Sequence, residues 1–235
     1  MKVLYTGLLS FGMGLLVAKH NPFEKFKFLA SIYFDGFFLC DGTFITSDVV
    51  LTAAFCVRDD VKHLKVADHF QEASYNILEQ RSLLSVNYTQ ILLRLSTGDG
   101  LGSNIAAIKL TEKRQHHTPI ELNLGFYSLW HGLSLEAIEW MRYINRPKTP
   151  HPIRLKTLPH YNCILSSPSK EDLCVTFPHP PKIEPGGPLI YHSGSEVVLV
   201  GILSRPNRNK YSPSVIFTSV SSFIPWIQGL GAIPT

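Results

Sequence analysis

The sequence has little net charge, no internal repeat and only four cysteines. Lysine and arginine total 22 against 18 aspartates and glutamates, and a net charge of +4 is too weak to indicate a nucleic-acid-binding protein. After the first 18 residues, no stretch is long and apolar enough to predict a membrane span. Sixteen glycines and sixteen prolines are spread without a period, which argues against low complexity and favours many short strands and turns.

The length and composition favour a β-rich chain. Its 235 residues are 45% hydrophobic and 17% charged. These values suit one domain of sandwich or barrel type, or two small barrels that share an interface.

The first 18 residues have the pattern of a secretory signal peptide. Lys2 supplies a positive charge, an apolar stretch runs to Ala18, and Lys19-His20 follows. The alternative, a membrane anchor, is disfavoured because the stretch is short for crossing a bilayer. We therefore expect cleavage near Ala18, and a secreted, extracellular product without a membrane span.

Secretion changes the expectation for the four cysteines, because they can pair in an oxidising compartment. Four cysteines allow three connectivities, and the residues alone leave all three open. The same compartment makes Asn87 a candidate glycosylation site, since Asn87-Tyr88-Thr89 is an acceptor triplet that would lie on a surface loop.

The region from Phe38 to Cys56 carries the most specific pattern. Val49-Val50-Leu51-Thr52-Ala53-Ala54 reads as a buried strand that ends in a tight corner, and Cys40 and Cys56 flank this region. It resembles the trypsin/chymotrypsin-like serine proteases, whose motif Thr-Ala-Ala-His-Cys presents the catalytic histidine. Here Phe55 stands at the histidine position, and a phenyl ring cannot accept a proton.

The resemblance implies a single domain over residues 19–235, with an all-β fold of two antiparallel six-stranded barrels and a short C-terminal α-helix. Barrel one would span about residues 26–118, barrel two about 119–220 and the helix about 221–230. A serine before Phe223 would cap this helix, and Gly229 or Gly231 would end it. The resemblance also implies disulfides Cys40–Cys56 and Cys163–Cys174.

Three further elements are expected, two from the residues and one from the resemblance. Asp35-Gly36 predicts the turn of the first hairpin. Asn104-Ile105-Ala106-Ala107-Ile108-Lys109-Leu110 predicts a buried strand that is similar to the family's Asp-Ile-Ala-Leu-Ile-Lys-Leu, so Asn104 replaces the aspartate that orients the histidine. The segment from Leu133 to Tyr143 has residues that favour a helix, but it lies where the family has a strand.

The segment Ile183-Glu184-Pro185-Gly186-Gly187-Pro188-Leu189 is similar to the family motif Gly-Asp-Ser-Gly-Gly-Pro-Leu. Pro185 therefore stands where the nucleophilic serine is expected. Proline has neither a hydroxyl group nor a backbone N–H, and the family's oxyanion hole takes one donor from that serine's amide.

Other family features are also missing. Pro181 replaces a cysteine that braces the substrate pocket, and His179 replaces the residue at the pocket floor. The stretch from Lys19 to Leu39 lacks the Ile-Val-Gly-Gly activation motif. His116-His117 has no suitable ligand beside it, so we expect a solvated loop, no metal and no cofactor.

These features predict a secreted, non-catalytic serine protease homologue that binds or regulates an extracellular protein: an active protease, its substrate or an inhibitor. Two alternatives remain, namely a carrier or structural component of a secreted fluid, and a polyanion-binding module that uses Arg205, Arg208 and Lys210. We expect no residual endopeptidase activity, because no other Ser/His/Asp grouping is recognisable.

Overall fold

The structure is a computed structural model that describes residues 24–57, 63–68, 88–95, 104–111, 113, 118–123, 134–141, 149–158, 171–177, 183–206 and 214–231. Several predicted features lie outside these ranges: the signal peptide, Asn87, His116, His117, Cys163, His179, Pro181, Arg208 and Lys210. Arg205 is described only as part of a strand backbone. No helix within the described ranges is long and apolar enough to cross a membrane.

The first sheet contains six strands in the order β4-β1-β2-β3-β6-β5, and all its pairings are antiparallel. The strands are β1 (Leu29–Phe34), β2 (Phe37–Phe44), β3 (Val49–Thr52), β4 (Leu64–Asp68), β5 (Tyr88–Leu95) and β6 (Ile105–Leu110). The expected hairpin turn joins β1 to β2, with φ of +51° at Asp35 and +81° at Gly36. Positive φ at both central residues is typical of a type I′ hairpin turn.

The second sheet contains seven strands in the order β11-β8-β9-β10-β13-β12-β7. They are β7 (Glu121–Leu122), β8 (Ser134–Met141), β9 (Thr149–Thr157), β10 (Asp172–Thr176), β11 (Pro188–Ser193), β12 (Glu196–Pro206) and β13 (Ser214–Ser219). Because β11 also pairs with β12, six strands close into a barrel, and the two-residue β7 adds a parallel pairing to β12.

The expected fold of two barrel-like β-sheets and one short C-terminal helix is therefore confirmed. The segment that begins at Ser134 is a strand despite its helix-favouring residues, because it pairs with β9 over eight residues from Ser134 to Met141. Tertiary pairing and burial commonly override intrinsic propensity in this way.

A continuous apolar core joins the two sheets. It includes buried residues of the first sheet, the second sheet and the C-terminal helix: Leu29, Val49, Leu51, Ile105, Ile138, Trp140, Ile190, Leu199, Ile202, Ile224 and Ile227. Each barrel also has its own apolar cluster. The junction between the barrels is thus a packed interior rather than a loose domain contact.

The C-terminal helix begins differently from the expectation. A 3-10 turn at Ser221–Phe223 leads into α1 (Ile224–Gly229), and neither segment has a side-chain cap, so the predicted serine cap is wrong. The residue before α1 is Phe223, whose side chain cannot accept a hydrogen bond as a cap. Pro225, in the first turn of α1, has no N–H group to donate to a capping side chain. The C-terminal glycine is confirmed: Gly231 has φ of +66°, and its N–H donates to Gln228 at 2.8 Å.

Cys40 and Cys56 form a disulfide with a Cα–Cα distance of 5.9 Å, which is the first of the two pairings expected above. Cys174 is also disulfide-bonded. Its expected partner, Cys163, lies outside the described residues.

Candidate functional site

Phe55 lies at the surface, at the end of the most specific sequence pattern. β3 ends at Thr52, and a 3-10 turn follows at Ala54–Cys56, closed by a bond from the Cys56 N–H to the Ala53 carbonyl at 3.0 Å. The disulfide to Cys40 fixes the turn against β2. Although Ala54 and Cys56 are buried, the Phe55 side chain is 44% exposed.

Asn104 connects this turn to the second barrel. Its Oδ1 accepts a hydrogen bond from the Phe55 N–H at 3.2 Å. Its Nδ2 lies 3.0 Å from the Ser204 carbonyl oxygen and 3.1 Å from the Ser204 Oγ. An amide suits this position because it both accepts from an N–H group and donates to a carbonyl.

Ser204 was not among the residues singled out from the sequence. It is 1% exposed near the end of β12, and it contacts Asn104 across the junction between the barrels. The available signal was a small polar residue at the end of the apolar run Val197–Leu203, which is a weak indication without the tertiary pairing.

Pro185 occupies a tight turn that precedes β11. The Gly187 N–H donates to the Glu184 carbonyl at 3.1 Å, which closes the turn. The Pro185 carbonyl accepts from the Asp41 N–H of β2 at 2.8 Å. The Gly186 N–H donates to the Leu203 carbonyl at 2.9 Å, so the turn is held by both barrels.

Gly186 permits this close approach of two backbones. Its φ is +82°, and a Cβ atom placed there would lie 2.1 Å from the Asp41 carbonyl oxygen and 2.3 Å from Thr52 Oγ1. The Thr52 hydroxyl donates to that same carbonyl at 2.8 Å. Only glycine combines positive φ with the absence of a side chain here.

A buried carboxylate lies directly behind this turn. Asp41 is 2% exposed, and its Oδ2 accepts a hydrogen bond from Nε1 of Trp140, which is 4% exposed, at 2.6 Å. This pair was not predicted from the sequence. The available signal was a charged residue between Cys40 and Gly42, next to a cysteine of the expected disulfide.

The structure therefore brings the candidate residues to one junction. Phe55 and Asn104 are in direct contact, and Pro185 is linked to the same region through Asp41, which follows Cys40 in the chain. None of the three candidate side chains carries a proton that titrates in the physiological range. Within the described residues, no group of three or more His, Cys, Asp or Glu side chains forms a metal site.

Comparisons with known proteins identify the same architecture. The family described as Trypsin matches residues 18–227. Two snake venom serine proteases, NaSP of Naja atra and BmSP of Bungarus multicinctus, are each 27% identical over 229 residues, covering 88% of this chain and 76% of theirs. The alpha- and beta-fibrinogenase OhS1 of Ophiophagus hannah is also 27% identical, over 232 residues that cover 89% of this chain and 83% of the relative.

Two solved structures share the fold. Kallikrein-related peptidase 10 in complex with Zn2+ superimposes with a TM-score of 0.67 at 17% identity, covering 87% of this chain and 95% of that one. The secreted serine protease VesC from Vibrio cholerae gives a TM-score of 0.68 at 19% identity, covering 86% of this chain and 45% of that one.

Proposed function

Since the chain belongs to the trypsin family of serine proteases, we propose that it is a non-catalytic member that binds or regulates an extracellular protein. The partner would be an active protease, a protease substrate or a protease inhibitor. It would be recognised at the junction between the barrels, around Phe55.

The residue that carries this proposal is Pro185. At the position that the family resemblance assigns to the nucleophile, proline offers no hydroxyl to attack a carbonyl and no N–H to stabilise an oxyanion. Loss of a nucleophile or base costs on the order of a million-fold in kcat in a related catalytic site. Loss of one oxyanion donor costs about a hundred- to a thousand-fold.

Phe55 and Asn104 support the same conclusion. A phenyl ring cannot serve as the general base, and a neutral amide cannot stabilise a positively charged imidazole. The bonds of Asn104 to Phe55 and Ser204 use both its acceptor oxygen and its donor nitrogen. We therefore assign these residues a structural or binding role.

The exposure of Phe55 supports recognition of a protein. A half-exposed aromatic ring on a disulfide-anchored turn is a rigid apolar contact, and such residues are enriched at protein interfaces. The two-barrel framework that surrounds it is intact in the described residues.

Secretion is part of the proposal. The sequence begins with a signal-peptide pattern, and Cys40–Cys56 is a disulfide of the kind that persists in oxidising compartments. The relatives named above include snake venom proteins and a secreted bacterial protease, which supports an extracellular location.

Affinity capture from the fluid that contains the protein tests this function. Immobilised wild-type protein should retain a saturable protein partner, and Phe55→Glu should weaken that binding at least about tenfold by placing a charge in the apolar contact. Lys156→Glu is the matched control, because it introduces the same carboxylate at an exposed position of β9. Equal retention by the two variants would reject recognition at Phe55, and the absence of any saturable protein partner would favour the carrier alternative.

A further inference from the structure

A cavity of about 630 Å³ lies against the second barrel, away from the candidate site. Its lining includes Lys25 and Phe26 from the 3-10 turn at Glu24–Phe26, together with residues of β8, β9, β11 and β12. Small-molecule sites typically enclose about 300–1,000 Å³. Pro185 precedes β11, whereas His192 lies near the other end of this strand, about 13 Å from Pro188 at the usual rise per residue.

The inner wall of the cavity is apolar and continuous with the core. Phe28 and Ile190 are 6% and 1% exposed and belong to the cluster that joins the two barrels. Phe26 and Val197 pack against that cluster while remaining partly exposed. The Phe26 and Phe28 rings meet edge to face with centroids 6.2 Å apart, which gives this wall a fixed aromatic surface.

Charged residues line the same cavity. Glu136 accepts from His192 Nε2 at 3.0 Å through one carboxylate oxygen, and its other oxygen lies 3.5 Å from Arg154 Nε. The Glu136 side chain is 18% exposed, whereas those of Arg154 and His192 are 84% and 50% exposed. Glu136 therefore contacts two basic side chains that remain at least half exposed.

The balance of charge at this cavity is positive. Lys25 and Arg154 contribute two positive charges against the single negative charge of Glu136. The 3.5 Å contact of Arg154 with Glu136 involves Nε, and 84% of the Arg154 side chain remains exposed. The Arg154–Glu136 pair joins two neighbouring antiparallel strands at the surface, where such pairs contribute little to the free energy of folding. Replacing this contact of Arg154 with a contact to a ligand anion therefore costs little free energy.

We propose that this cavity binds a small organic anion with an apolar body, such as an aromatic or aliphatic carboxylate or sulfonate. The apolar part lies against Phe26, Phe28 and Val197, and the anionic group bonds to Arg154 and Lys25. Binding of an anion in this cavity is a function beyond the one proposed above, because it involves neither Phe55 nor a protein partner.

The test compares two fluorescent probes, 8-anilinonaphthalene-1-sulfonate and its uncharged counterpart N-phenyl-1-naphthylamine. The purified wild-type protein should bind one equivalent of the sulfonate, with a dissociation constant on the order of tens of micromolar. Arg154→Gln should weaken sulfonate binding about tenfold and leave the uncharged probe unaffected. Glu136→Gln should strengthen sulfonate binding, because it removes the competing carboxylate.

Lys156→Gln is the matched control, since it removes the same charge from the same strand, two residues from Arg154, at a position that does not line the cavity. It should leave both affinities unchanged. Val197→Trp should abolish saturable binding of both probes by filling the apolar side, with thermal unfolding measured to establish that the variant is folded. Equal weakening by Arg154→Gln and Lys156→Gln, weaker binding in Glu136→Gln, or the absence of one-to-one saturation would overturn the proposal.

Discussion

Nε1 of Trp140 lies 2.6 Å from Oδ2 of Asp41, and this hydrogen bond joins β8 of the second barrel to β2 of the first. Both residues are buried, and the Asp41 backbone also bonds to Pro185. A donor to a buried carboxylate is among the stronger hydrogen bonds in proteins. The pair therefore fixes the relative position of the barrels directly behind the candidate site.

We expect Trp140→Phe to lower the free energy of unfolding by about 1–3 kcal/mol, because a buried carboxylate loses a donor. Trp226→Phe is the matched control: the same N–H is removed, but Trp226 Nε1 has no hydrogen-bond partner among the described residues. Denaturant unfolding followed by circular dichroism measures both variants. Equal destabilisation would show that ring size, not the bond to Asp41, determines the effect.

Gly186→Ala should destabilise the protein severely, by at least about 3 kcal/mol, because the new Cβ would lie 2.1 Å from the Asp41 carbonyl in a backbone of positive φ. Gly194→Ala separates the effect of the close contact from the effect of positive φ. Gly194 also has positive φ, at +64°, but no atom lies within 4 Å of a Cβ placed there, so only the conformational cost of about 1 kcal/mol is expected. Similar unfolding midpoints for the two variants would contradict the close approach.

The sequence was sufficient for the fold where a local pattern coincided with tertiary pairing. The buried run of β3, the Asp35-Gly36 turn and the strand from Ile105 to Leu110 are all present. The strand at Ser134–Met141 required the family resemblance, since its residues favour a helix and only its pairing with β9 determines the outcome.

The site was predictable only in part, because contacts between distant strands leave little trace in local sequence. The bonds from Asn104 to Ser204 and from Trp140 to Asp41 join residues 100 and 99 positions apart. The cavity beside Arg154 likewise depends on how the turn at Glu24–Phe26 lies over the second barrel. Composition and periodicity describe single elements and do not specify such pairs.

Asp48 provides a prediction for pH dependence. Burial acts to raise the pKa of this carboxyl group, but hydrogen bonds from Lys109 and Thr46 and the charges of Lys109 and Lys113 outweigh it, so the pKa lies below its ordinary value. The Lys109 Nζ lies 2.7 Å from Asp48 Oδ2, and the Thr46 hydroxyl donates to Oδ1 at 2.8 Å. A lowered folded-state pKa stabilises the protein above the unfolded-state pKa.

At pH values between about 5 and 7, we therefore expect Asp48→Asn to be about 1 kcal/mol less stable than the wild type. This value allows for solvent screening of the charge on Lys109. The difference from wild type should shrink as the pH falls below the unfolded value near 3.8 and through the lower folded-state pKa. Unfolding midpoints at several pH values measure it, with the exposed substitution Glu196→Gln as control. A difference that grew on acidification would contradict the assigned direction.

Restoring the family's residues by Phe55→His, Asn104→Asp and Pro185→Ser should give little or no activity. A carboxylate at position 104 cannot donate to the Ser204 carbonyl, which lies 3.0 Å from Nδ2 of the present amide. Ile183 stands where the family motif has a glycine, whose N–H supplies the second oxyanion donor. Ile183 does not adopt the positive φ that a glycine permits, because Asp35 is the one non-glycine residue with positive φ in the described ranges. A misplacement of about 1 Å can cost about a hundred-fold.

Steady-state hydrolysis of a peptide ester by the triple variant measures this outcome. A rate within about tenfold of an active relative would show that only the three side chains had diverged. The single variant Pro185→Ser is the control, because it restores the nucleophile and its N–H without a base.

The absence of a catalytic serine is tested most directly by covalent labelling of the wild-type protein with a fluorophosphonate, run beside an active trypsin-like protease. Activated serines react with this probe, and we expect no labelling above a heat-denatured control and no ester hydrolysis above buffer. Stoichiometric labelling of any serine, mapped by mass spectrometry and accompanied by hydrolysis, would show that the protein is catalytic.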